Sequence, residues 1–198
     1  MGFDLHGVNP KMNMEIEEFP VYGKYSKLSF KERWKALDKD EKLRKQFWKE
    51  QEDYEYANPG IYFRNNVWGW RPLWQFVCNQ FPEVINDKDA EGGESNSGHL
   101  IDKSKAMRIG YGLKAKLLDG SLQTYCDNYK KELDSLEQEE CYLCEGTGTR
   151  TDMKVDNGCN GCSGTGKRDS WAKSYPFDID NVRYFLEFCL ESGGFEIC

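Results

Sequence analysis

Apolar residues recur at helical spacing over most of the chain, and short alternating runs lie at its two ends. Phe3 and Leu5 alternate with polar residues ahead of Asn9 and Pro10, a pattern that predicts a short strand followed by a turn. The closing residues FEIC alternate in the same way and predict a last strand. We expect the two terminal strands, GFDLHG and GFEIC, to pair with each other and close the fold.

Between the terminal strands, apolar stripes at a spacing of three or four residues indicate amphipathic helices. Ser29 and Glu32 form a capping box at the start of one helix, and Asp38 is expected to cap the next. Pro72 suits the first turn of a further helix. Asp178 or Asp180 is expected to cap the last helix. The predicted helices cover residues 29–37, 39–54, 72–81, 101–118, 121–139 and a final stretch that ends at Ser192.

The remaining stretches are predicted to be strand or loop. Residues 61–71 are rich in aromatic and β-branched side chains and predict a strand followed by a loop. Residues 11–27 show no period, and residues 87–99 are polar and rich in glycine, so both are expected to be loops. Aromatic residues make up 14% of the 198 residues, so a few large rings can build a core although hydrophobic residues total only 38%.

Two C-x-x-C pairs, CYLCEGTGTR and CNGCSGTGKR, carry the strongest chemical signal in the chain. Each has the form C-x-x-C-x-G-x-G, and the glycines allow the backbone to turn after each pair. Four thiolates suit a tetrahedral ion, so we predict one structural Zn²⁺ with no open position for catalysis. A redox dithiol and unligated thiols are the alternatives. The predicted ligands are Cys141, Cys144, Cys159 and Cys162.

Together these elements predict an α+β fold, with a helical body, a few short strands and a small zinc knuckle of four cysteines. The main domain is expected to cover residues 1–140 and 169–198, with a helical insertion at about 24–57. The knuckle forms a module of its own at residues 141–168, between the last two long helices.

The charge balance limits the partners that the chain can bind. A net charge of -7 opposes contact with the phosphates of nucleic acids, so we expect no general nucleic-acid binding. No stretch approaches the roughly eighteen apolar residues of a membrane-spanning helix. The N-terminus also lacks the basic and apolar regions of a secretory signal. We therefore expect no membrane association and a location in the cytoplasm.

Residues 61–74, IYFRNNVWGWRPLW, place aromatic rings beside arginine and asparagine, and we call them the aromatic–arginine block. Indoles stack on flat rings, guanidinium groups pair with phosphate, and amides hydrogen-bond to base edges. The block therefore predicts a pocket for a nucleotide-like small molecule. Packing in a core is the simpler interpretation, because aromatic runs are more often buried. The candidate ligand-binding residues are Arg64, Asn65, Asn66, Trp68, Trp70 and Arg71.

A polar segment at residues 96–99 adds further hydrogen-bonding groups on a predicted loop, a common place for ligand contacts. Asn96 and His99 are therefore also candidates for ligand binding. His99 and Asp102 could support acid–base chemistry, but the chain has only two histidines and no other catalytic motif. We assign no catalytic residues, and an enzyme is the weakest interpretation.

The doubled C-x-x-C-x-G-x-G segments resemble the cysteine-rich domain of J-protein chaperones, which has four such repeats and two zinc ions. This chain has two repeats over about 28 residues, and no His-Pro-Asp tripeptide occurs in it. The resemblance implies the local zinc-binding fold and does not imply chaperone activity.

Three blocks of the chain resemble a family of small phage and prophage proteins. MGFDLHGVNP, YFRNNVWGWRPLW and GGFEIC are similar to the family's MGxDxxGxNP, YFRNNVWxWRPLW and GGFxIC, over about 40 residues in all. Relative to short members, residues 24–57 look like an insertion, and the knuckle occurs in only some members. The resemblance implies a phage-encoded accessory protein in the host-cell cytosol, and a counter-defence role follows by analogy with phage proteins of this size.

Three functions are compatible with the sequence. The first is non-catalytic sequestration of a host nucleotide-derived immune signal, the second is a zinc-knuckle adaptor that binds a host or phage protein, and the third is a nucleotide-cleaving enzyme. Arginines that converge on a concave cleft would favour ligand capture, whereas buried indoles with outward arginines would favour an adaptor. A homo-oligomer is also compatible with the sequence.

Overall fold

The computed structural model describes residues 2–150 and 158–198, and within them eight α-helices and six short strands form an α+β fold. The predicted fold class is confirmed, including a cluster of four cysteines. Residues 151–157 of the predicted 141–168 module lie outside the described residues. The strands are β1 (Gly2–Gly7), β2 (Tyr62–Asn66), β3 (His99–Ile101), β4 (Glu139–Glu140), β5 (Lys167–Arg168) and β6 (Phe195–Ile197). The helices are α1 (Pro20–Ser26), α2 (Phe30–Leu37), α3 (Glu41–Ala57), α4 (Val67–Gln80), α5 (Asp87–Gly92), α6 (Lys103–Leu118), α7 (Ser121–Ser135) and α8 (Ile179–Glu191).

Four strands form one antiparallel sheet in the order β2-β1-β6-β3. Strand β1 lies inside it, with Leu5 opposite Phe63 on one side and opposite Ile197 on the other. The two chain ends are therefore hydrogen-bonded neighbours, and the predicted pairing of the terminal strands is confirmed. Asp4 and Cys198 extend this pairing, because the N–H of each donates to the carbonyl of the other, at 2.9 and 2.8 Å.

The main core lies between one face of this sheet and helices α4, α6 and α8. Trp70 and Trp74 stand one turn apart on α4, stack at a ring-centroid distance of 5.3 Å, and are buried. The indole N–H of Trp70 donates to the carbonyl of Gly93, and that of Trp74 donates to the carbonyl of Ala90. Each large ring is thus removed from water without leaving an unpaired donor. No helix in the described part of the chain is both long and apolar enough to cross a membrane.

Helix α4 begins earlier than the sequence predicts, inside the aromatic–arginine block. The side-chain oxygen of Asn66 accepts a hydrogen bond from the N–H of Gly69 at 2.9 Å and caps the helix there. Pro72 consequently lies in the second turn rather than the first, at the expense of one helix hydrogen bond. The predicted strand and loop over residues 61–71 is therefore wrong beyond Asn66, where the chain is already helical.

Three other local predictions are wrong, because a proline or a capping residue sets where each of these helices begins. Pro20 opens α1, and a capping box at Asn86 opens α5, in two stretches that were expected to be loops. These helices have seven and six residues, too few for an apolar stripe to repeat. Asp40, rather than Asp38, caps α3.

Helices α1, α2 and α3 pack around a separate apolar cluster. Helices α2 and α3 cover most of the predicted insertion at about 24–57. Phe19, Phe47 and Tyr54 are buried there and do not belong to the main core. The rings of Phe19 and Tyr54 meet edge to face, at 5.4 Å. These helices therefore form a small layer beside the main domain.

Asn58 joins this layer to the N-terminal loop. Its buried side-chain oxygen accepts hydrogen bonds from the N–H groups of Asn13 and Met14, at 2.7 and 3.0 Å. Its amide nitrogen donates to the carbonyls of Met14 and Tyr54, at 3.0 and 3.1 Å. The amide is thus fully hydrogen-bonded, and it fixes the path of the loop over α3.

Replacing Asn58 with Ala should lower the free energy of unfolding by about 2–4 kcal/mol, because several buried backbone groups lose their partners at about 1–3 kcal/mol each. Urea denaturation measures this loss. Asn86→Ala removes a helix cap and serves as the matched control, with an expected loss of about 1 kcal/mol. Equal, small losses for both variants would contradict the anchoring role of Asn58.

Candidate functional site

The two C-x-x-C pairs meet at one buried point. All four Sγ atoms lie within 4.8 Å of one another, with 3.8 Å between Cys141 and Cys159 and 3.7 Å between Cys144 and Cys162. All four side chains are buried, and none is in a disulfide. The structure thus brings together every predicted metal ligand, and the cluster could hold a metal ion.

The same backbone turn follows each C-x-x-C pair, so the two halves of the cluster are an internal repeat. The N–H of Gly148 donates to Sγ of Cys144 at 3.3 Å, and the N–H of Gly166 donates to Sγ of Cys162 at 3.2 Å. Burial opposes ionisation of the Cys162 thiol, but the Gly166 N–H and the neighbouring thiols lower its pKa, while burial and the same neighbours raise the pKa of the Cys159 thiol. Donors of this kind stabilise the thiolate form that binds a metal.

Glycine is required where the two halves cross. Gly148 and Gly166 have φ angles of 74° and 76°, in the left-handed region. A Cβ atom on Gly148 would lie 2.4 Å from the carbonyl oxygen of Gly164, and one on Gly166 would lie 2.2 Å from that of Gly146. The repeated glycines therefore allow close contact between the two backbones, in addition to the turn after each cysteine pair that the C-x-x-C-x-G-x-G pattern predicts.

The aromatic–arginine block does not form one site. Trp70 has no exposed surface, and its ring lies against Phe3 and Phe185 at centroid distances of 5.5 and 5.7 Å. The prediction that Trp70 contacts a ligand is wrong, because the indole is enclosed in the main core. For this residue the simpler interpretation, core packing, is correct.

The two arginines of the block point outward and lie apart. The side chain of Arg64 is 70% exposed and lies 3.6 Å from Asp4. The side chain of Arg71 is 49% exposed, donates to the hydroxyl of Tyr175 at 3.2 Å, and lies 3.9 Å from Glu94. These arginines line two different clefts, so they do not converge on one ligand.

Asn65, Asn66 and Trp68 share a surface cleft of about 450 Å³ between the N-terminal ends of α4 and α8. Trp68 packs there against Trp171 and Tyr175, at centroid distances of 4.9 and 4.8 Å. Among the residues that the structure describes, those that line this cleft include two aspartates and no lysine or arginine. We call it the amide cleft, and its charge disfavours a phosphate group.

Asn96 and His99 are held by other groups of the protein. The amide of Asn96 donates to the carbonyl of Gly2 at 2.6 Å. His99 Nε2 lies 3.0 Å from a carboxylate oxygen of Asp89. The suggested partnership of His99 with Asp102 is wrong, because the Asp102 carboxylate caps α6.

The buried carboxylate of Asp89 is a residue that sequence reasoning missed. It pairs with Lys105 Nζ at 2.6 Å as well as with His99. Burial alone would raise the pKa of Asp89, but the bonds from Lys105, His99 and the Asn86 N–H lower it. The group joins α5, β3 and α6, which indicates a structural role. The only sequence signal for the buried Asp89 was the capping-box pattern that Asn86 and Asp89 form.

A second cleft, with a volume of about 700 Å³, lies between the end of α3, strand β2 and α8. We call it the tyrosine–glutamate cleft. Its lining residues include Tyr56, Tyr62, Tyr184, Glu52, Glu55, Glu187 and Arg64. Sequence reasoning missed it, because its walls come from segments more than a hundred residues apart. The acidic and aromatic run EDYEY was the only local signal.

Comparisons with known proteins do not assign a class to this chain. No protein-family model matches it, and no curated protein or solved structure matches it. The cysteine cluster and the surface clefts are therefore the features that bear on function.

Replacing Trp70 with Ala should lower the free energy of unfolding by about 3–5 kcal/mol, because a large buried ring is lost. Arg71→Ala should change it by less than about 1 kcal/mol, since an exposed ion pair contributes little. Urea denaturation measures the free energy of unfolding of both variants, which change adjacent residues of the aromatic–arginine block. A large loss for Arg71→Ala would show that this guanidinium is structural, and a small loss for Trp70→Ala would contradict the burial of the indole.

Proposed function

We propose that the protein is a non-catalytic adaptor in which a structural zinc ion holds the knuckle and a separate cleft binds a basic segment of a partner protein. The observation that supports this proposal is the division of the aromatic–arginine block. Its indoles Trp70 and Trp74 lie in the core, while Arg64 and Arg71 point outward on different surfaces. An adaptor is compatible with this arrangement, whereas an arginine-lined phosphate pocket is not.

Zinc is the metal that we propose for the cysteine cluster. Four sulfur atoms at about 2.3 Å from a tetrahedral zinc ion are separated from one another by about 3.8 Å. The Sγ atoms of Cys141 and Cys159 are 3.8 Å apart, and those of Cys144 and Cys162 are 3.7 Å apart. Calcium and magnesium prefer oxygen ligands, so an all-thiolate set disfavours them. Four protein ligands complete the coordination, and the ion therefore supports structure.

Elemental analysis of the purified protein should give one zinc per chain. Cys141→Ser should release the metal and expose the knuckle to protease, since metal binding and local folding are coupled. The main domain should still melt cooperatively, because its core contains none of the four ligands. Cys198→Ser, outside the cluster, is the control and should keep its zinc. Less than about half an equivalent of zinc in the unmodified protein would contradict the assignment.

The chemistry of the tyrosine–glutamate cleft suits lysine or arginine side chains. Its described lining residues include three glutamates and Arg64, whose guanidinium already lies beside Asp4. Carboxylates pair with cationic side chains, and tyrosine faces attract them. Burial and a hydrogen bond to Asp4 raise the pKa of Tyr62, so its phenol stays neutral at physiological pH. The same carboxylates repel a phosphate.

Selection from a random-peptide display library should enrich peptides rich in lysine and arginine. Tyr56→Ala and Glu187→Lys should each weaken the binding of an enriched peptide by about tenfold or more, because an aromatic contact or a charge pair with the lining of the cleft is lost. Isothermal titration at two salt concentrations measures the effect.

The matched controls are Tyr111→Ala on α6 and Glu132→Lys on α7, which change exposed residues of the same types elsewhere. Both should bind the peptide as the unmodified protein does. If no basic peptide is enriched, or if the control variants weaken binding equally, the cleft is not the binding site.

Capture of a nucleotide-derived ligand is the second candidate function, and the amide cleft favours it. Asn65 is buried, and its amide nitrogen donates to Asn181 at 2.9 Å. The amide nitrogen of the exposed Asn66 is therefore the group that could hydrogen-bond to a base edge while Trp68 stacks on the ring. In this alternative the chain is a phage accessory protein that sequesters a host immune signal. The contacts would involve the base, because no lysine or arginine of residues 2–150 and 158–198 lines the cleft.

A ligand that prefers the native state should raise the melting temperature by mass action. If the amide cleft binds one, a screen of cyclic dinucleotides, cyclic oligonucleotides and ADP-ribose derivatives should give a shift that Trp68→Ala abolishes and Tyr56→Ala retains. The absence of any shift would reject this alternative. Recovery of a hydrolysed product would instead favour a nucleotide-cleaving enzyme.

A further inference from the structure

Helices α2 and α3 carry an unusual group of exposed rings. Phe30 is 76% exposed, Trp34 is 51% exposed and Trp48 is 49% exposed. Phe30 and Trp34 are stacked, with an angle of 14° between their planes, and they form one wall of an apolar groove. Trp48 lies on the other side, and buried Leu37 also lines the groove. We call this feature the α2–α3 groove.

The groove lies in a strongly basic part of the chain. Residues 24–49 contain ten lysines and arginines against four aspartates and glutamates, in a chain whose net charge is -7. Arg33 lines the groove directly. Lys31 and Lys35 are exposed on the adjoining face of α2. The charge at this surface is therefore opposite in sign to that of the tyrosine–glutamate cleft.

The groove is concave and small. Its volume is about 260 Å³, which admits one large apolar side chain. A pocket of this kind selects a protruding anchor residue, and aromatic residues around it are typical of the centre of a protein interface. A membrane surface would instead favour a convex row of apolar residues.

We propose that the α2–α3 groove binds an acidic segment of a second partner protein, with one aromatic or leucine side chain inserted between Trp34 and Trp48. The basic rim attracts the acidic residues that flank this anchor and selects against basic partners. The adaptor then holds two partners of opposite charge on separate surfaces. The groove and its occupant do not depend on whether the tyrosine–glutamate cleft binds a basic segment.

The test uses the full chain with Tyr56→Ala and Glu187→Lys, so that the tyrosine–glutamate cleft does not compete. A random-peptide display library should enrich peptides rich in aspartate and glutamate that share one Phe, Trp or Leu. Trp34→Ala and Lys31→Glu should each lower the affinity for an enriched peptide by about tenfold or more. Added salt should lower this affinity further. Phe30→Ala, at the more exposed edge, gives an independent check if Trp34→Ala alters the helix content.

The controls on α6 are Tyr111→Ala for the ring and Lys114→Glu for the charge, and both should leave the affinity unchanged. The proposal is overturned if no acidic peptide is enriched, or if enriched peptides bind these groove variants as well as the parent. Groove-dependent binding of phosphatidylserine vesicles or of single-stranded RNA, in place of acidic peptides, would also overturn it. Self-association that Trp34→Ala abolishes in sedimentation would assign the groove to a second copy of the chain and reject the proposal.

Discussion

Strand β1 is the element on which the arrangement of the main domain depends, because it pairs with β2 on one edge and with β6 on the other. This double pairing joins the beginning, the middle and the end of the chain in one sheet. The backbones at Gly7 and Gly60 approach so closely that only glycine fits at position 7, since a Cβ atom there would lie 2.0 Å from the carbonyl oxygen of Gly60. The sheet then presents one face to α4, α6 and α8, and the large rings of those helices complete the core.

The same pairing decides what the aromatic–arginine block can do. Side chains of a strand alternate between faces, so Phe63 of β2 enters the core while Arg64 faces the tyrosine–glutamate cleft. At Asn66 the two-residue alternation of the strand gives way to the 3.6-residue repeat of helix α4. The helix turns Trp70 inward and Arg71 onto another surface. Residues that are neighbours in the sequence are thereby separated in space. In place of an arginine-lined pocket, the end of α3 and the outer face of α8 form the acidic tyrosine–glutamate cleft.

Sequence patterns predicted the parts of this structure that depend on local geometry. The capping box at Ser29 and the meeting of the four cysteines follow from short-range spacing, and the structure contains both. The alternation in each terminal segment likewise predicted a strand, although the pairing of these two strands is a long-range contact. The clefts depend on long-range packing, so their walls could not be found by period or motif. Asn66 shows how small the deciding factor can be, because one cap converts a predicted loop into a helix and moves Arg71 away from Arg64.

Hydrogen–deuterium exchange of the full chain with an enriched basic peptide tests the central claim most directly, because it locates the contact without changing any residue. The adaptor account predicts protection at the end of α3, along β2 and in the middle of α8, with unchanged exchange in the cysteine cluster. Protection confined to the knuckle, or to the amide cleft at Trp68, would contradict it.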